Sequence, residues 1–75
     1  MDITLYFTEA EHEGDVGLYL DDVHNSGGTN LHSELNEEAE TCIILTTVTD
    51  FGEFKKRLKE TESWGFCHLS NLDIK

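Results

Sequence analysis

The sequence predicts an α+β domain. It should hold a small three- to four-stranded antiparallel or mixed sheet with one helix of the C-terminal half on one face, in the order β-β-(short element)-β-α-β. Three observations point there. Ile3, Leu5 and Phe7 alternate with polar neighbours, the period of a half-buried strand. Residues 41–48, TCIILTTV, are the most apolar and β-branched run of the chain, as a central strand is. Phe51, Phe54 and Leu58 recur at i, i+3 and i+7, one stripe of an amphipathic helix.

Taken in order, residues 2–8 form the first strand, and the polar stretch 9–14 (EAEHEG) is a loop. Residues 15–20 alternate again, with Val16, Leu18 and Leu20 on one face and Tyr19 on the other. They predict a second strand and a hairpin. Residues 21–40 read as an irregular acidic segment, punctuated by Asn25-Ser26-Gly27-Gly28. Within it, either a short helical turn at 31–39 or an extra strand is expected. Residues 41–48 lack alternation, which predicts a strand covered on both faces. Asp50 and Glu53 approximate a capping box, so the helix starts there and runs to about Glu62 or Ser63. Trp64, Phe66, Leu69, Leu72 and Ile74 suggest a last strand, and the strand–helix–strand at 41–74 suits a crossover with its strands parallel.

Length bounds the function. A chain of 75 residues is expected to be one domain, 1–75. At that size it buries only about 60% of its unfolded surface, too little for a deep catalytic cleft. No enzyme is expected. Cys42 and Cys67 are the only cysteines, fewer than a small secreted scaffold carries. The start MDITLYF has no basic region of a signal peptide, and no apolar run approaches membrane-spanning length. The cytoplasm is the expected compartment (a host cytoplasm if the gene is a phage's).

Charge is the most informative feature. The net charge is −11, from 16 acidic and 5 basic residues. Thirteen of the acids precede Lys55, leaving only Glu60, Glu62 and Asp73 beyond it. Residues 1–54 contain neither Lys nor Arg; all the basic residues, Lys55, Lys56, Arg57, Lys59 and Lys75, follow. Such a chain repels nucleic acid and anionic membrane, so direct binding of either is excluded. The expected partner is a basic protein, above all a nucleic-acid-binding protein or complex, with a homodimer as a further expectation. Ordinary solvated surfaces intersperse both signs, which favours a partner-binding role over the alternative, an acidic surface that serves solubility alone.

The candidate partner-binding residues are Glu9, Glu11, Glu13, Asp15, Asp21, Asp22, Glu34, Glu37, Glu38 and Glu40. Tyr6 and Tyr19 join them as aromatic anchors, on strand faces opposite the apolar ones; a second small core under the helix is the alternative place for these rings. No catalytic, cofactor-binding or metal-binding residue is expected. Glu11-His12-Glu13-Gly14-Asp15 and Asp21-Asp22-Val23-His24 mix oxygen and imidazole ligands but fit neither an EF-hand loop nor a zinc finger. Cys67 and His68 are neighbours in an expected strand and point to opposite faces, so they make no nucleophile–base pair. Lys55, Lys56, Arg57 and Lys59 read as the solvent face of the helix.

In type, though not in any motif, the composition resembles small acidic inhibitors of nucleic-acid-handling proteins. Phage-encoded anti-defence proteins, anti-CRISPR proteins among them, and nuclease-toxin immunity proteins are the two groups. The resemblance implies an inhibitor that occupies a basic nucleic-acid-binding surface by mimicking nucleic acid. The alternatives are an immunity or antitoxin protein for a basic toxin nuclease, and a small accessory structural subunit.

Overall fold

A computed structural model describes residues 1–68. Its elements are β1 (Asp2–Thr8), α1 (Glu13–Asn25), β2 (Thr29–Asn36), β3 (Thr41–Thr47), α2 (Phe51–Leu58), a 3₁₀ turn (Glu62–Phe66) and β4 (Cys67–His68). The fold class is α+β, with a helix in each half of the chain. The sheet order is β2-β3-β1-β4, and every neighbouring pair is antiparallel. Strands β1 and β2 are therefore parallel to each other with β3 between them. Likewise β3 and β4 are parallel with β1 between them. Each β-α-β unit is split by a strand of the other, the connectivity of the ferredoxin-like, split β-α-β arrangement.

β1 follows its alternation: Ile3, Leu5 and Phe7 are buried while Asp2 and Thr4 are exposed. The expected second strand at 15–20 is a helix. Val16, Leu18 and Leu20 alternate over too short a window to decide. Val16, Tyr19 and Val23, at i, i+3 and i+7, are the residues α1 buries, and Leu18 points outward at 46% exposure. The helix opens at His12, whose Nδ1 accepts from the Gly14 amide at 3.1 Å. Glu13 and Asp15 in the first turn complement the helix dipole.

α1 closes through Gly27, at φ +110°. The Gly27 amide donates to His24 O and the Gly28 amide to Val23 O, both at 3.0 Å. This is the Schellman pattern, which favours glycine because the turn is left-handed. Gly28 is needed for space: a Cβ there would lie 2.7 Å from Thr46 Oγ1 and 2.9 Å from Val23 Cγ1.

The segment 21–40, expected to be irregular, holds the end of α1, all of β2 and a turn at 37–40. Of the two options for its second half, the extra strand is present. β2 escapes a periodicity argument because it is an edge strand with one face on α1 and few apolar residues, and a bulge at Asn30/His32 breaks its register. β3 is central, but among the described residues only one face is covered. Cys42, Ile44 and Thr46 are buried, whereas Ile43 is 39% exposed.

α2 has its expected start: the Glu53 amide donates to Asp50 Oδ1 at 3.1 Å. It ends earlier than expected. Both the amide and the hydroxyl of Thr61 donate to Leu58 O, at 3.0 and 2.7 Å, tightening the chain into the 3₁₀ turn. Phe54 and Leu58 are buried, with Phe51 partly so. The last strand begins at Cys67, and Leu69, Leu72 and Ile74 lie outside the described residues. One core results, between one sheet face and the two helices. Phe7 and Tyr19 stack at its centre with ring centroids 4.6 Å apart.

Candidate partner-binding surface

Antiparallel pairing decides where the acids go. β1 ends where β3 begins, with Thr8 opposite Thr41, and β2 ends there too, with Asn36 opposite Thr41. The loop that leaves β1, the start of α1 and the β2–β3 turn therefore share one end of the sheet. Seven carboxylates gather there from two segments, 9–15 and 37–40: Glu9, Glu11, Glu13, Asp15, Glu37, Glu38 and Glu40. All but Asp15, which is half-buried, are exposed. The two segments are joined directly, because the Ala10 amide donates to Glu40 O at 2.8 Å.

The backbone is strained at this junction. Glu9 and Glu40 adopt φ of 58° and 55°, in the left-handed region that costs a side-chain-bearing residue about 1–2 kcal/mol. Local bonds hold the loops. The Glu11 amide donates to Asp15 Oδ2 at 3.0 Å and the Ala39 amide to Asn36 Oδ1 at 3.2 Å. Among the described residues, the end's carboxylates have no Lys or Arg within salt-bridge distance. His12 Nε2 lies 3.8 Å from Asp15, and Arg57 pairs with Glu53 inside α2 at 3.2 Å.

Beside this end lies the sheet face that no helix covers among the described residues. One cross-strand row runs Tyr6–Ile43–Glu34, which places two of the expected residues on either side of Ile43. His32 Nε2 lies 3.3 Å from Glu34. A concavity of about 730 Å³, lined by Tyr6, Glu34, Glu37, Glu38, Thr41 and Ile43, joins the row to the acidic turn. Ile43 was not among the expected residues. A run without alternation predicts burial on both faces, so spacing does not single Ile43 out.

Three expected residues fall elsewhere. Tyr19 is 3% exposed, so its expected role as a surface anchor is corrected. Its hydroxyl donates to Thr8 O at 3.0 Å and Glu9 O at 3.3 Å, making it an internal brace for the strained turn. Burial first, then the charge of Asp15, pushes its phenol above the usual range. Asp21 and Asp22 lie toward the opposite end of α1. Asp21 is exposed. Asp22 is half-buried and accepts a hydrogen bond from the Ser63 hydroxyl, tying α1 to the 3₁₀ turn.

Neither cysteine is primed. Burial, with the Asp15 charge adding to it, pushes the Cys42 thiol up to about 11. Burial does the same to Cys67. Both thiols are protonated at neutral pH, the unreactive form. Among the described residues no three His, Cys, Asp or Glu side chains are grouped to hold a metal ion, and no helix is long and apolar enough to cross a membrane. Comparison with known protein families, curated proteins and solved structures found no match.

Proposed function

We propose that this protein is a non-enzymatic inhibitor that presses the acidic end of its sheet onto a basic, nucleic-acid-binding surface of another protein. One observation carries the reading: seven carboxylates from two distant segments are displayed together with no Lys or Arg among residues 1–54. Duplex DNA presents one negative charge per roughly 1.7 Å of axis. A rigid scaffold with clustered, uncompensated carboxylates competes for the same lysines and arginines. Association of this kind is fast and weakens as salt rises.

The test is displacement. Proteins retained at low salt on the immobilised chain are loaded with labelled DNA or RNA, and the free chain is added. Wild type should displace the nucleic acid, with affinity falling across a salt titration. The variant with Glu34, Glu37, Glu38 and Glu40 changed to Gln should displace it far less. Equal displacement by the two at every salt concentration sinks the reading.

A second reading, an immunity protein for a basic toxin nuclease, is favoured by the Tyr6–Ile43 pair inside the concavity. An aromatic-anchored interface resists salt, so Tyr6→Ala would then cost more than the four-Gln change.

A further inference from the structure

The outer edge of β2 and the cleft between β2 and α1 form a second surface, which adjoins the acidic end at Glu13. β2 is the terminal strand of the sheet. In an antiparallel sheet, alternate residues of an edge strand turn N–H and C=O away from their one neighbour. Among the described residues, no backbone hydrogen bond links 29–36 to anything outside the sheet ladder. The bulge at Asn30/His32 spoils the first part of this edge, but from His32 to Asn36 the register is regular. Edges are usually blunted with Lys or Pro, and β2 has neither.

Alongside this regular part runs a cleft of about 300 Å³, lined by Glu13, Val16, Gly17, Leu20, Ser33 and Leu35. Its floor is apolar, from Val16, Leu20 and Leu35, which belong to the core or pack on it. Gly17 opens the cleft: a Cβ there would meet nothing within 4 Å. Glycine in a helix interior weakens the helix, and neither a left-handed turn nor a close approach requires it here. What it leaves is room beside a strand edge that, among the described residues, is unpaired.

We infer that the edge of β2 takes up an extended, basic segment of a partner protein as a fifth strand. In a strand, side chains alternate. One set of the added strand would enter the cleft over Gly17, Leu20 and Leu35, and is apolar. The other set would lie beside His32 and Glu34 on the open sheet face, and carries Lys or Arg. Glu34, on the same open face as that second set, selects its charge, and the net charge of −11 repels a second copy of this chain. The inference rests on the reading of a basic partner but adds a contact made by backbone.

The probe is a blocked hexapeptide alternating lysine and valine, titrated into ¹⁵N-labelled full-length protein. The comparison peptides are the same sequence N-methylated at alternate residues, a glutamate–valine version and a neutral threonine–valine version. Strand addition predicts amide shifts concentrated at 32–36 and at Gly17 and Leu20. N-methylation in the pairing register should weaken binding about tenfold or more, the loss of at least one hydrogen bond. Gly17→Leu should weaken it about as much without lowering Tm, since leucine is the better helix former.

Shifts confined to 9–15 and 37–40, indifferent to N-methylation and to Gly17→Leu, overturn strand addition while leaving the acidic-end reading intact. N-methyl-sensitive binding that is equal for the lysine and threonine peptides keeps strand addition and removes the basic partner. No shift at β2 with any peptide at millimolar concentration, or a dimer of this chain formed through β2, overturns the inference.

Discussion

The amide of Ala10 donates a 2.8 Å hydrogen bond to the carbonyl of Glu40, and this single bond ties together the two acidic segments of the chain. On either side of it the backbone pays in strain, with Glu9 and Glu40 both left-handed. Strained residues that persist in like-charged company are expected where display of charge matters more than stability.

Replacing either residue by glycine tests that exchange. Glu9→Gly and Glu40→Gly should each stabilise the fold by about 0.5–1 kcal/mol, since glycine adopts φ > 0 freely. Each also removes a carboxylate, so binding to a basic partner should weaken. Urea denaturation with a parallel binding assay checks both. A fall in stability for both variants would show that no strain is stored at the junction.

Tyr19 braces the same junction from inside. Tyr19→Phe keeps the stack on Phe7 and loses the hydroxyl's bonds to Thr8 O and Glu9 O. It should cost about 1 kcal/mol. Tyr19→Ala removes the ring from the centre of the core and should cost about 3–5 kcal/mol. A Phe variant as unstable as the Ala variant would mean that the hydroxyl, and not the ring, holds this region.

Under the bulge of β2 lies an imperfection. Thr46 Oγ1 and Asn30 Oδ1 are buried and, among the described residues, make no hydrogen bond. Thr46→Val should therefore stabilise the protein by about 1 kcal/mol, removing an unpaired hydroxyl at little change in shape. Gly28→Ala, which drives a Cβ against Thr46 and Val23, should destabilise by about 1–3 kcal/mol. Thermal melts of the two variants should move in opposite directions.

The thiols set an alkaline limit. Their pKa rises from 9.0 when free to about 11 when folded. Below pH 9 the thiol is protonated in both states, and its contribution is fully present. Between pH 9 and 11 the unfolded chain releases the proton and the folded chain keeps it, so stability falls with rising pH. Cys42→Ala should show a shallower fall over that window than wild type, measured by chemical denaturation at each pH. Parallel curves would mean that Cys42 does not contribute.

The acidity and the α+β class were legible in the sequence by itself. So were β1, the helix cap at Asp50 and the absence of Lys and Arg before residue 55, because each depends on local spacing or on composition. β1 and β3 were legible through the neighbours they bury. β2 was not, because an edge strand buries little and leaves almost no apolar period. At 15–20, a three-residue alternation fits strand and helix alike. Tyr19 was misplaced for that reason, since only the packing of α1 onto β1 turns its ring toward Phe7.

Convergence at one end of the sheet is likewise a tertiary fact. Residues 9–15 and 37–40 meet because β1 and β3 run antiparallel, a pairing that composition does not encode. The chain itself determined how many negative charges the molecule carries. The sheet decided that seven of them stand together, that Asp22 is bonded to Ser63 instead of joining them, and that Tyr6 lies across Ile43 from Glu34.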